Sequence, residues 1–218
     1  MAFFRRRSAV DRLLAGYRHF KRTTFLRERS LYKSLTVNGQ RPKVMIIACA
    51  DSRVSPTAVL DTQPGEIFIA RNIANIVPPH DPDTTPRSIA AAVEYAIKVL
   101  KIEHLIVMGH GRCGGVAALV AHGHGLPDTD YLKAWVDIAT PALDLIPNHG
   151  EGMSPDELSR ASEYAVIKLS LKNLETYPWV REQIEAGKLT LHGWHFSIFD
   201  GRLTRWNSDT YQFDTVRG

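Results

Sequence analysis

The segment Leu105-Ile-Val-Met-Gly-His-Gly-Arg-Cys-Gly-Gly115 constrains this chain most. A short run of branched apolar residues that stops in glycines reads as a buried strand feeding a tight loop. Val116-Ala-Ala-Leu-Val-Ala121 then starts a helix. The unit delivers His110 and Cys113 to the carboxyl end of a strand, where open α/β sheets build their sites. Val44-Met-Ile-Ile-Ala-Cys-Ala-Asp-Ser-Arg-Val54 has the same build, with Cys49, Asp51 and Arg53 at its exit. If strands 44–48 and 105–109 are parallel neighbours, Cys49, His110 and Cys113 converge on one point. Two thiolates and one imidazole leave the fourth position of a zinc tetrahedron open, which is the catalytic pattern; structural zinc is normally closed by four protein ligands.

The remaining chain alternates short apolar strands with helices. Residues 9–36 carry apolar positions Val10, Leu13, Leu14, Tyr17, Phe20, Phe25, Leu31 and Leu35, an amphipathic pattern of one or two helices with a sticky face. Ser55 caps a short helix with Pro56 in its first turn, and Glu66 to Ala70 is a second strand. Thr85-Pro86 opens a helix that runs to about Lys101, and His104 to Met108 is the third strand. Tyr131 to Leu145 and Pro155 to Tyr177 have helical period, the latter behind a capping-type Ser154, and a short helix spans Trp179 to Ala186. Leu189 to Ile198 is a strand, and Asp200-Gly201 turns it into Arg202 to Trp206 as a hairpin. This order predicts an α/β fold with a central, mostly parallel sheet flanked by helices. No linker forces a second domain, so 1–218 reads as one domain carrying a helical arm at 1–36.

The 218 residues are enough to bury one good core. A net charge of +4 with Lys and Arg scattered rather than striped gives no indication of nucleic acid. Two cysteines are too few for a disulfide framework, and both lie in the two site segments, which points to thiols kept reduced for metal. No apolar stretch is long enough for a signal-peptide core or a membrane span, and Arg5 to Arg7 read as a solvated helix start. A cytoplasmic protein without membrane contact is expected.

Gly109-His-Gly-Arg-Cys-Gly114 also satisfies the dinucleotide pattern Gly-x-Gly-x-x-Gly. That fingerprint belongs to a first βα unit with an acidic residue at a strand end about twenty residues on. Here the unit is the third, and Asp128 and Asp130 fall in a loop. His122 and His124 read as loop residues. His192 and His195, three apart in a strand, point to opposite faces and do not suit a shared metal.

Cys49-Ala-Asp-Ser-Arg53 followed by His110-Gly-Arg-Cys113 resembles the β-class carbonic anhydrases, whose hallmark is Cys-x-Asp-x-Arg and, some sixty residues later, His-x-x-Cys. The likeness runs from about Gln40 to Gly115 and includes Gln63-Pro-Gly-Glu66 and Arg71-Asn-Ile-Ala-Asn75. It implies one Zn²⁺ per chain on Cys49, His110 and Cys113, with Asp51 and Arg53 as a catalytic dyad. It further implies a carbon dioxide pocket from Gln40, Phe68, Ile73 and Tyr95, and a backbone N–H at Gly114. The reaction implied is reversible hydration of carbon dioxide to bicarbonate and a proton, by hydroxide generated at zinc. Ile46 stands where the allosterically inhibited branch has Trp, so the resemblance is to the plant-type, open site. Val99 replaces a His that plant enzymes use near the pocket Tyr, which leaves His80 or buffer to carry the proton out. The family also implies a homodimer or a tetramer of dimers, with the N-terminal helices embracing the partner.

The donor chemistry fits that resemblance. A zinc site with two thiolates and a neutral imidazole carries no net charge, so activity rising into alkaline pH is expected. Arg53 offers a planar fork that holds the Asp51 carboxylate off the metal. Two other functions use the same residues: hydrolysis of carbon disulfide or carbonyl sulfide, and a four-ligand zinc that only braces the fold.

Overall fold

The computed structural model describes residues 8–83, 87–121 and 129–217. His122, His124, Asp128, the Thr85-Pro86 helix start and Arg5 to Arg7 lie outside the described residues. The chain divides into two compact units, Met1–Gln40 and Arg41–Gly218.

The first unit is helical: α1 (Ala9–Arg22), α2 (Thr24–Arg27) and α3 (Arg29–Asn38). Three segments replace the expected one or two because Thr23, at φ −120° and ψ −82°, and Glu28, at φ −100° and ψ 13°, leave helical geometry. A reciprocal capping box starts α1, with Ser8 Oγ accepting from the Asp11 amide and the Asp11 carboxylate accepting from the Ser8 amide. Phe20, Phe25 and Tyr32 pack ring against ring, with centroids 5.2 to 6.2 Å apart. Val10, Leu13, Leu14 and Tyr17 stand exposed on α1 at helical spacing.

The second unit is built on one six-stranded sheet in the order β2-β1-β3-β4-β5-β6. Its strands are β1 (Val44–Cys49), β2 (Ile67–Asn72), β3 (His104–His110), β4 (Thr190–Phe196), β5 (Leu203–Asn207) and β6 (Gln212–Thr215). The first four run parallel and the last two antiparallel. β1 and β3 are buried almost throughout, as central parallel strands covered on both faces must be. Side chains alternate between faces: Met45, Ile47, Leu105 and Val107 enter one core, and Ile46, Ala48, Ile106 and Met108 the other. The expected parallel pairing of the two site strands holds, with Val44 opposite His104 and Ala48 opposite Met108. The chain leaves β1 for β2 on one side and places β3 on the other, so the carboxyl ends of β1 and β3 form a topological switch point.

The helices of this unit are α4 (Pro56–Val59), α5 (Ser88–Tyr95), α6 (Gly114–Val120), α7 (Leu132–Asp137), α8 (Pro155–Leu174) and α9 (Pro178–Glu185). Several boundaries differ from those read in the sequence. Ser55 sits at the N-cap of α4, but its hydroxyl pairs with Thr57 Oγ1 at 2.9 Å and makes no capping bond. The helix expected to reach Lys101 loosens into a π turn at Ala96–Leu100, and Lys101 ends it in left-handed geometry. The helix expected over 131–145 breaks after Asp137 into a 3₁₀ turn at Thr140–Leu145; Pro141, which lacks an N–H, stands at its start. α8 stops at Leu174, three residues early, and Pro178 begins α9. Strand β6 has no counterpart in the sequence reading.

Candidate metal centre

Cys49 ends β1, and the chain then turns sharply. The Ala50 amide donates to Asn72 O at 2.7 Å, and Asp51 Oδ1 accepts from the Arg53 amide at 2.8 Å. Arg71 on β2 ties this turn from the side, donating to Cys49 O (2.8 Å), Asp51 O (2.8 Å) and Val54 O (2.6 Å). The second loop leaves β3 at His110 and bends through Arg112, whose φ of +56° is left-handed. Cys113 is the N-cap of α6. Two loops at adjacent strand ends thus meet at the switch point.

There the ligand atoms of Cys49, His110 and Cys113 all lie within 4.8 Å of one another, and all three residues are buried. The two sulfurs are 3.8 Å apart. His110 Nδ1 faces the Gly111 carbonyl at 3.0 Å, which places the ring proton there and leaves Nε2 as a lone pair. That Nε2 is buried without a hydrogen-bond partner. An orphaned imidazole nitrogen beside two thiols is the donor set and polarity that zinc takes.

Backbone amides surround the sulfurs. The Asp51 and Ala74 amides favour a thiolate at Cys49, and the Gly115 and Val116 amides at the start of α6 favour one at Cys113. The Cys49 thiol is pulled down, chiefly by its hydrogen bond from Cys113 and against the effect of burial. The same contact, with burial, pushes the Cys113 thiol up. Burial opposes charge on the His110 ring, but Cys49, the Gly111 carbonyl and Asp51 together hold its pKa above the usual imidazole range. Two thiols and one imidazole buried together are a donor set that a divalent cation would complement.

Asp51 stands beside the cluster, its Oδ2 3.7 Å from His110 Nε2. Arg53 grips it in a fork, Nε to Oδ1 at 3.0 Å and Nη2 to Oδ2 at 2.7 Å. These side-chain bonds, followed by the Arg53 backbone bond, hold the Asp51 carboxyl well below the usual carboxylate range. Arg53 Nη2 also donates to Arg112 O at 2.9 Å, joining the two loops.

The other residues singled out in the sequence are distributed as follows. Phe68 and Tyr95 face each other with ring centroids 5.8 Å apart. Ile73 lines an apolar cavity of about 540 Å³ with Trp135 and Ile138, and its carbonyl accepts from Trp135 Nε1 at 2.9 Å. Gly114 is the first residue of α6, so its amide has no partner in a preceding turn. Gln40 belongs to the first unit. His80 packs edge-on against Tyr177 at 5.3 Å. His192 and His195 do point apart: His192 meets His104 at 3.3 Å, whereas His195 is buried against Glu163 at 2.9 Å. Sequence reasoning missed Glu163 and Trp135, and quoted Arg71 only within the family likeness, without a role. For Glu163 a signal existed, since it is the one acidic position on the apolar stripe that continues through Val166, Ile167 and Ser170 of α8.

Residues 44–203 match the family model described as carbonic anhydrase. The chain is 39% identical to beta carbonic anhydrase 3 of Arabidopsis thaliana over 203 residues, covering 92% of this chain and 78% of that protein. It resembles the solved structure of the β-carbonic anhydrase CcaA at a TM-score of 0.89 and 29% identity, covering 96% of this chain and 92% of that one. A tetrameric β-carbonic anhydrase of Sordaria macrospora aligns with a TM-score of 0.74 at 29% identity, over 88% of this chain and 94% of that one. Family match, fold and a buried two-thiol, one-imidazole cluster agree: this chain belongs to the β-carbonic anhydrases, zinc-dependent lyases.

Proposed function

We propose that this protein hydrates carbon dioxide reversibly to bicarbonate and a proton, with Cys49, His110 and Cys113 as its zinc ligands and Asp51 and Arg53 as its dyad. The observation that carries the reading is the Arg53 fork on Asp51, which parks a carboxylate beside the three donors without adding it to them. Zinc held there would supply a Lewis acid that makes water a better nucleophile as pH rises. Asp51, kept ionised by Arg53, can only accept hydrogen bonds, so it orients any O–H at the site with its lone pairs turned toward the substrate carbon. The Gly114 amide, at the positive end of α6, stabilises negative charge growing on a substrate oxygen. The family likeness supports Phe68, Tyr95 and Ile73 as apolar residues that this chain contributes to a carbon dioxide pocket, and Gln40 as a polar one.

We further propose a homo-oligomer, a dimer or a tetramer of dimers, in which the helices of residues 1–36 act as an arm of a single catalytic domain and clasp the partner. The exposed stripe on α1 and the tetrameric relative support this. Two free cysteines suit a reducing compartment, and the cytoplasm fits. Among the described residues no helix is long and apolar enough to cross a membrane.

The deciding experiment is stopped-flow hydration of carbon dioxide by zinc-quantified protein from about pH 6.5 to about pH 9, with Cys113→Ala as control. Activity that climbs with pH and vanishes with the metal is expected. One zinc per chain with turnover of carbon disulfide or carbonyl sulfide instead would replace the substrate, and zinc without any turnover would leave a structural metal.

A further inference from the structure

Glu163 and His195 form a buried hydrogen-bonded pair that neither the reaction nor the ligand set accounts for. Both are 4% exposed, and Glu163 Oε2 accepts from His195 Nε2 at 2.9 Å. Burying a carboxylate is costly unless its lone pairs are filled, and here they are filled by the zinc loop. Glu163 Oε1 accepts from the Arg112 amide at 2.7 Å, from the Cys113 amide at 3.4 Å and from Ser159 Oγ at 3.0 Å. The left-handed Arg112 aims these two successive amides in one direction, a concave anion nest that needs a negative oxygen to hold it. Left-handed geometry at a non-glycine residue is strained and persists only when its surroundings fix it. The guanidinium of Arg112 adds an exposed link to Asp156 on the same helix, which contributes little by comparison.

We propose that Glu163, set by His195, is the positioning residue of the zinc loop: by capping the Arg112 and Cys113 amides it fixes the sulfur of Cys113 and the ring of His110, and so decides how fast the metal escapes. The pair touches neither substrate nor metal. This rests on the zinc reading above.

The test is transfer of zinc from the holoenzyme to an excess of colorimetric chelator, paired with the absorption spectrum of the cobalt-substituted protein. Glu163→Met keeps the volume but leaves both amides unpaired; release about 10 to 100 times faster is expected, with altered cobalt bands. Glu163→Gln retains an oxygen for the amides, and His195 can change tautomer to meet the new amide group, so release returns most of the way to wild type. His195→Phe frees one carboxylate oxygen and gives a smaller acceleration. Wild-type release and spectrum in a folded Glu163→Met would overturn the proposal, as would Glu163→Gln releasing zinc as fast as Glu163→Met. Should Glu163→Met not fold, unchanged release in His195→Phe overturns it alone. Wild-type protein without bound zinc would instead end the zinc reading itself.

Discussion

In the proposed site, single residues decide whether the metal stays open. Asp51 is short, anionic and 3.7 Å from the His110 nitrogen, and in that site the Arg53 fork, helped by the Arg53 amide on Oδ1, keeps it from becoming a fourth ligand. Arg53→Ala is expected to lower kcat/KM by about 10²- to 10³-fold, the scale of losing one preorganised electrostatic group. A crystal structure of the zinc-loaded variant should show the Asp51 carboxylate on the metal; finding it still swung away would refute the role given to Arg53. Lysine should not rescue, because a point charge cannot reproduce the two parallel bonds. This much was legible in the sequence, because Cys49, Asp51, Arg53, His110 and Cys113 sit in two short motifs whose spacing is local. Glu163 was legible as an acidic position on a buried stripe but its role was not, since its partners at Arg112 and Cys113 lie about fifty residues away and are backbone amides, which have no sequence signature. The role of Arg71 hid for the same reason, as all its acceptors are carbonyls of another loop.

Elements succeed or fail by how closely they approach. α8 lies against the sheet where β3 and β4 each offer a glycine: a methyl group at Gly109 would fall 2.8 Å from Ile167 Cδ1, and one at Gly193 2.8 Å from Ile167 Cγ2. The branched Ile167 is fully buried and cannot swing aside. Gly193→Ala should therefore destabilise by about 1 to 3 kcal/mol, lowering Tm by a few degrees per kcal/mol; an unchanged melting curve would show that the helix can shift outward at no cost. The start of α8 carries a second, pH-dependent device. Ser154 Oγ accepts from the Glu157 amide, and the Glu157 carboxylate accepts from Ser154 N at 2.9 Å and Oγ at 2.7 Å. Those bonds hold the Glu157 pKa below its ordinary value, so their stabilising effect is complete above the unfolded value of about 4.3 and fades as pH falls through the folded one. Glu157→Gln should melt below wild type at neutral pH, and the gap should close near pH 3. An equal gap at both pH values would contradict the charged capping box. Ser154 announced its cap in the sequence, whereas the π turn at Ala96–Leu100 did not, because it preserves helical period and alters only its hydrogen bonding.

At the scale of the whole molecule, the two units differ in what they bury. Strands β1 and β3 leave no side chain from Met45 to Cys49 or from Leu105 to His110 in solvent, while none of the residues of α1, α2 and α3 is buried. Val10, Leu13, Leu14 and Tyr17 remain 46 to 63% exposed along one stripe of α1, and apolar residues that recur at 3 and 4 positions mark a face meant for a surface. In the proposed oligomer that surface is a second copy of the chain. Covering the part of Leu13 and Tyr17 still exposed is worth about 1 to 2 kcal/mol each, so Leu13→Asp with Tyr17→Asp removes about 3 kcal/mol of association energy. That corresponds to a dissociation constant about 100-fold weaker. Light scattering at micromolar concentration should find wild type as a dimer or larger and the double variant as a smaller species that still binds one zinc per chain. A wild-type monomer, or a double variant of unchanged size, would show that the stripe serves no self-association. Loss of hydration activity together with the larger species, while zinc is retained, would place part of the substrate pocket across the subunit boundary.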